Sequence, residues 1–369
     1  MPQRPASRPD GVLRVGLMGL AAGGHSGVPR YTAALTAALD RVADEFPGLS
    51  MCLMTTPRGA EQSRPRRIAV DVVRGASAGP RRVVKEQVLA RRARADLLHF
   101  FDLTGPLLAP RRTFVTTVHD AALRHGFENV RLLHKRVLQP WALRHATAAV
   151  AVSAFAKDEA VQLFSARAEK LDVIHSGPGL VSDHDVAAPR GGDPYVLYVG
   201  NLAAHKNLPF LIRAFESVGG EGRLVLVGGR GERFEEVCRA VEASPAAGRI
   251  EIRRDASDSE VDGLYRGASM LVLPSRYEGF GFTALEAMSR GCPVLESDIP
   301  ALREVSGDGA WLLPVDDRAA WTDAMHRVLA DGDLRRDLVR RGEDTVRRYS
   351  WDETARAVCR LFLRVGDSG

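Results

Sequence analysis

The stretch Ser275 to Pro293, SRYEGFGFTALEAMSRGCP, decides how the rest of the chain is read. An apolar run, Met270-Leu271-Val272-Leu273-Pro274, precedes it and has the length of a buried strand closed by a proline. Next comes a loop with two glycines, Glu278-Gly279-Phe280-Gly281. The apolar positions Phe282, Leu285 and Met288 then recur at helical spacing, and Gly291 and Pro293 end the helix. One carboxylate, Glu278, therefore falls in the loop, and a second, Glu286, falls in the helix. Between them lie backbone N–H groups at a helix N-terminus, a place that favours anions. Such a spot can hold a diphosphate on N–H groups and hydroxyl-rich rings on carboxylates. The ordinary alternative is a pair of glutamates on a solvated helix face.

The bulk properties suit a two-domain soluble protein. A chain of 369 residues exceeds one ordinary core. With 45% hydrophobic and 26% charged residues it has a globular composition. No apolar run approaches the roughly 18 residues of a membrane span. The opening MPQRPASRPDG has arginines but no apolar core segment, so a secretory signal is not expected. Cys52, Cys238, Cys292 and Cys359 lack paired spacing and read as reduced and mostly buried, as in a cytoplasmic protein. A net charge of +5 permits an anionic substrate or surface, and no aromatic–basic interleaving points to nucleic acid.

Toward the N-terminus, Val12–Met18 reads as a first buried strand, followed by the glycine loop Gly19–Gly27. A helix then starts near Pro29 with Tyr31, Leu35 and Leu39 inward. Strand, glycine loop and helix form a phosphate cradle, although G-x-G-x-x-G is not matched. Further strands are expected at 49–54, 68–73, 97–101, 113–118, 148–152 and 171–174, in the βαβ rhythm of a parallel doubly wound sheet. His119-Asp120 falls at the carboxyl end of one of them, where ligands gather in such sheets. The run Arg81–Arg94 carries six basic residues against Glu86. It reads as a solvated face, with a membrane-surface or acidic-acceptor patch as the alternative.

A polar, Gly/Pro-rich segment, 183–194, reads as an interdomain linker, and its Asp183-x-Asp185 is a poor metal cage in a flexible stretch. A second alternation begins with the strand Tyr195–Gly200. Its first βα connection, Asn201–Asn207, places Lys206 at a strand-to-helix junction, where an ammonium can neutralise a departing diphosphate. Asn207 is expected to cap the helix, with Pro209 in the first turn. Strands follow at 224–229 and from 250, and residues from 319 onward read as helix.

Glu278 and Glu286, with seven residues between them, resemble the E-x7-E motif of retaining glycosyltransferases of the GT-B fold. EGFG-x4-EAM-x2-G-x-PV resembles glycosyltransferase family 4, also described as glycosyl transferases group 1. VGNLAAHKN resembles the family's VGR-x4-KN, with Asn201 where an arginine is usual, and Ser26–Tyr31 and His119-Asp120 resemble its first glycine loop and His-Asp pair. The likeness runs from Leu13 to about Leu363 and is most specific between Val196 and Asp317.

The resemblance implies an α/β fold of two Rossmann-like, doubly wound parallel-sheet domains facing across a cleft. Residues 1–182 would form an acceptor-binding domain and 195–350 a nucleotide-sugar domain, with 351–369 a terminal helix returning to the first domain. Lys206 and the N–H groups near Gly27, Phe282 and Thr283 would stabilise the diphosphate. Glu286 would hold the ribose, and Glu278 and His119 would orient the sugar. The N–H groups of Phe280 and Gly281, beside Gly279, would fix its hydroxyls, and the segment with Arg254 would frame the base. It implies retaining transfer from a UDP-, GDP- or dTDP-sugar to a carbohydrate, lipid-linked or small natural-product acceptor, with no metal and no cofactor beyond the donor. The expected location is cytoplasmic, with peripheral membrane contact through the basic face of the first domain as the alternative. A phosphorylase or epimerase of the same fold, or a silent nucleotide-sugar-binding subunit suggested by Asn201, are the competing readings.

Overall fold

The computed structural model describes residues 11–20, 27–74, 79–122, 135–179, 194–220, 222–229 and 233–367. Most of the expected linker, 183–193, and residues 21–26 of the first glycine loop lie outside these residues. The chain divides into two compact units, the first made of Met1–Gly177 with Ser350–Gly369 and the second of Pro178–Tyr349.

The first unit holds seven parallel strands in the order β3-β2-β1-β4-β5-β6-β7. They are β1 (Leu13–Gly19), β2 (Leu49–Thr55), β3 (Ala69–Val72), β4 (Leu97–Phe100), β5 (Phe114–Val118), β6 (Ala148–Ala151) and β7 (Leu171–Val173). Strands β4, β5 and β6 are buried at every position, as near-continuous apolar runs covered on both faces should be. The helices include α1 (Gly27–Val42), α2 (Pro57–Ser63), α3 (Gly79–Arg92), α4 (Lys135–His145) and α5 (Ala154–Phe164). Tyr31, Leu35 and Leu39 of α1 are fully buried, the inward stripe that their spacing predicts. The last helix, α13 (Trp351–Asp367), also packs here, on α1. Trp351 lies edge-on to Tyr31, and Arg356 pairs with Glu45 at 2.7 Å.

The second unit repeats the plan with six parallel strands in the order β10-β9-β8-β11-β12-β13. These are β8 (Tyr195–Val199), β9 (Arg223–Val227), β10 (Ile250–Arg253), β11 (Met270–Leu273), β12 (Val294–Ser297) and β13 (Trp311–Leu313). Around them run α6 (Leu208–Glu216), α7 (Phe234–Glu242), α8 (Asp258–Gly267), α9 (Phe282–Met288), α10 (Pro300–Ser306), α11 (Arg318–Ala330) and α12 (Gly332–Val346). A capping box starts α8, with Ser257 and Glu260 satisfying each other's backbone N–H groups. Both units are thus doubly wound parallel sheets. Each reverses direction at one central pair, β1/β4 in the first unit and β8/β11 in the second, where ligands of open α/β sheets bind.

All four cysteines are free. Cys292 and Cys359 are buried, whereas Cys52 and Cys238 are only partly so. No helix among the described residues is long and apolar enough to cross a membrane.

Candidate active site

Two loops leave the reversal point of the second sheet. After β8 the chain makes a 3-10 turn, Ala204–Lys206, and enters α6. After β11 it runs through Ser275–Gly281 into α9. Backbone and side chains tie the loops together. The Arg276 N–H donates to the His205 carbonyl at 2.8 Å. The Arg276 guanidinium and the Asn207 amide both donate to the Asp316 carboxylate, at about 2.9 Å each to Oδ1. This corrects the expected role of Asn207. It precedes α6 but adopts a left-handed backbone, φ 59°, and its side chain caps nothing. Its amide is used on Asp316 instead.

The cross-tie places Lys206 against Glu278. Lys206 Nζ donates to Glu278 Oε1 at 2.5 Å, and the Ser275 hydroxyl donates to the same oxygen at 2.7 Å. Both charged side chains are 16% exposed. Burial by itself would raise the Glu278 pKa. The Lys206 ammonium beside it, followed by His205 and the Ser275 hydroxyl, outweighs burial and holds the group below the usual carboxylate range. Beneath them Tyr198 donates its hydroxyl to the Asn201 carbonyl at 2.8 Å. Burial, and then the Glu278 charge, keep that phenol protonated. The result is a lysine pinned by one carboxylate at the edge of the sheet. A diphosphate arriving there offers it a second, more highly charged partner.

Glu286 is 4% exposed, which excludes a solvated helix face. It sits in the second turn of α9, where the Tyr265 hydroxyl of α8 donates to Oε2 at 2.9 Å. On the Oε1 side the chain passes so close that a Cβ built on Gly179 would stand 1.8 Å away. Only glycine fits there. The loop glycine Gly281 enters α9 with φ 111°, a conformation L side chains rarely adopt. Its carbonyl takes the Ala284 and Leu285 N–H groups, at 3.1 and 3.4 Å.

The remaining sequence candidates contribute unevenly. Phe280 is buried between the Phe282 and Tyr349 rings, so its side chain packs the loop. Gly279, Phe282 and Thr283 are half-buried at the mouth of α9. That helix has only seven residues, a short dipole, which shifts the weight of any anion stabilisation toward Lys206. Asn201 is exposed, and its carbonyl is committed to Tyr198. Arg254 is exposed as well, with its guanidinium 5.4 Å over the Phe234 ring. Among the described residues no group of three or more His, Cys, Asp or Glu is placed to hold a metal ion. Tyr265 and Ser275 had no signal of their own in the sequence. Tyr265 is 21 residues from its partner, and Ser275 reads as the start of a loop.

In the first unit the chemistry is neutral and aromatic. His119 follows β5, and its Nε2–H donates to the Phe101 carbonyl at 2.8 Å, which leaves Nδ1 as an acceptor. Its ring stands edge-on to Tyr31, with centroids 4.6 Å apart. Burial pushes the imidazole below its ordinary pKa, against the smaller pull of the Phe101 carbonyl, Asp120 and Asp102. The fully buried His99 of β4 shares Thr117 at 3.1 Å and is pushed down to about 3 by burial, then by His119. Gly27 opens α1 with its Cβ direction unobstructed.

The basic stretch 81–94 is only in part a solvated face. Arg82 turns inward, donating to Asp102 at 2.7 Å and lying 3.6 Å from Glu86. Burial, then the Asp102 charge, push Glu86 up to about 8. On the outside, Val84 and Val88 are exposed at 62% and 39% beside Arg91 and Arg92.

Comparison with known proteins agrees with this geometry. Residues 182–345 match the family described as Glycosyl transferases group 1, and residues 25–178 match Glycosyltransferase Family 4. The O-antigen chain mannosyltransferase B of Escherichia coli is 30% identical over 258 residues, spanning 64% of this chain and 67% of its own. A phosphatidyl-myo-inositol mannosyltransferase of Mycobacterium leprae is 28% identical over 297 residues, covering 74% and 75%. Sucrose-phosphate synthase from Thermosynechococcus elongatus superposes with a TM-score of 0.76 at 19% identity, over 97% of this chain and 100% of that one. Anabaena HepE, solved with UDP and glucose, gives 0.73 at 16% identity, over 95% and 100%.

Proposed function

Because the chain belongs to the glycosyltransferases, with a family 4 first half and a group 1 second half, we propose that it moves a hexosyl group from a nucleoside-diphosphate sugar to an acceptor hydroxyl, with retention and without a metal ion. The observation that carries this reading is the Lys206–Glu278 pair, at 2.5 Å, on the reversal point of the sheet that also bears Glu286. A glycosyl phosphate breaks through an oxocarbenium-like state only when the charge building on the leaving diphosphate is stabilised. Lys206 supplies that charge. Glu286, fixed by Tyr265, takes the ribose hydroxyls.

Glu278 is engaged by Lys206 and Ser275, so it is poorly placed as the free nucleophile that retaining glycosidases use. Substitution on one face fits better. The bond from the anomeric carbon to the phosphate oxygen breaks, the bond to the acceptor oxygen forms on the same face, and the acceptor proton passes to the departing phosphate oxygen. Relatives named for O-antigen chains and phosphatidyl-myo-inositol favour a saccharide or lipid-linked acceptor. The exposed Val84 and Val88, set among basic residues of α3, suit contact with an anionic membrane surface.

The test is incubation with UDP-, GDP- and dTDP-hexoses and candidate acceptors, with and without chelator, reading nucleotide release and the anomeric form of the product. Acceptor-dependent release with an axial-to-axial outcome, unchanged by chelator, is expected. Release of sugar 1-phosphate only when inorganic phosphate is supplied would mark a phosphorylase instead. Binding without turnover would mark a silent subunit. Co-sedimentation with anionic but not neutral vesicles, weakened by salt, tests the membrane face.

A further inference from the structure

Glu296 lies one strand beyond Glu278. It is the third residue of β12, in register with Leu273 of β11 on one side and Leu312 of β13 on the other. It is fully buried, and among the described residues it is the one carboxylate with both oxygens buried and without a hydrogen-bond partner. The hydroxyls of Ser297 and Ser306 are buried and unbonded too. An unpaired carboxylate ion is not tolerated in such a place, whereas the neutral acid is. Its surroundings agree. The charged neighbour acting on it is Glu278, from the loop after β11, whose own compensating cation is Lys206. From α10 only the Ser306 hydroxyl, near but not in bonding geometry, favours the ion. His205 and Tyr198 act on Glu278 rather than on Glu296.

We propose that Glu296 is a positioning residue of the donor site: as a neutral acid it keeps the diphosphate end at one lysine against one carboxylate, and its ionisation adds a second negative charge that drives the nucleotide sugar away. The inference rests on the donor site proposed above. Burial, opposed in part by Ser306 and reinforced by Glu278, brings the group up to about 8, so the change falls between pH 7 and 9.

The experiment measures dissociation constants of UDP-glucose and GDP-mannose at pH 7 and 9 for the full chain and for Glu296→Gln and Glu296→Leu. For a separation on the order of 10 Å and an effective dielectric of about 20, one added charge corresponds to about a tenfold weakening of the wild type. Both variants lose that step. Titration of the ligand base is common to all three proteins and cancels in the comparison. A wild-type affinity that is flat from pH 7 to 9, or the same weakening in Glu296→Gln, overturns the proposal. Either variant serves as the reference for the wild type, and Glu296→Gln, which keeps the size and shape of the side chain, is the one expected to fold. Absence of binding by any nucleotide sugar at either pH would instead remove the transferase reading. In that case the wild-type melting temperature should still fall from pH 7 to 9 more than that of Glu296→Gln, and an equal fall would remove the proton from Glu296 as well.

Discussion

The two sheets share one plan but place opposite chemistry where the strand order reverses. In the second unit the loops after β8 and β11 carry full charges, a lysine and a carboxylate in contact, with a tyrosine-held glutamate on the adjoining helix. In the first unit β4, at the reversal, and its neighbour β5 carry imidazoles packed on rings, His99 and His119 against Phe101 and Tyr31. Burial works against charge in both, and the partners decide the outcome. Lys206 and Glu278 protect each other's charge, whereas the histidines have no such partner and stay neutral. Fold alone therefore sets where a site forms and not what it does. One unit sets paired charges at the carboxyl ends of its strands, the other neutral rings.

The largest test of this contrast removes its cation. Lys206→Ala should lower kcat/KM by at least about 100-fold, roughly 3 kcal/mol of transition-state stabilisation. It should also lower stability, because Glu278 is left buried without its partner. Adding Glu278→Gln should restore the melting temperature without restoring turnover, and a double variant with near-normal turnover would break the comparison.

The neutral side is probed by acid. His99 binds a proton at about 6.5 when unfolded and only at about 3 when folded. Its contribution to stability is therefore complete above pH 6.5 and is lost as the pH falls, about 2 kcal/mol by pH 5. Thermal denaturation of His99→Gln at pH 6.5 and 5 should show a smaller drop than the wild type. Glu278, whose pKa is depressed, adds its own loss only below about pH 4.5, outside that window.

Smaller effects sharpen the picture of Glu286. Gly179→Ala forces the backbone off the carboxylate and should weaken nucleotide binding by about 1.5 kcal/mol, read by calorimetry. Tyr265→Phe deletes one hydrogen bond, and KM for the donor should rise several-fold, about 1 kcal/mol, with kcat little changed.

The charged site was the more legible in sequence, because its parts are local. Strand, glycine loop and helix follow one another from Met270 to Met288, and Lys206 has the same setting after β8. What sequence could not supply was long-range. Nothing near Glu286 announces Tyr265, and nothing near Lys206 indicates that Asn207 would turn left-handed to reach Asp316. Glu296 was hidden inside the apolar run Val294–Ser297, although a lone acid in a buried strand is itself a signal. In the first unit the parallel rhythm and the place of His119 could be read. The ring packing that makes it neutral joins Tyr31, Phe101, His119 and Trp351, and no spacing rule connects those.

The return of α13 to the first unit bears on the order in which the protein matures. During synthesis the second unit has its whole sequence by Tyr349, while the first still lacks the helix that covers Tyr31 and Gly177 and that binds Arg41 and Glu45 through Asp352 and Arg356. The part made first is thus the part finished last, because its closing helix is the final segment to be translated.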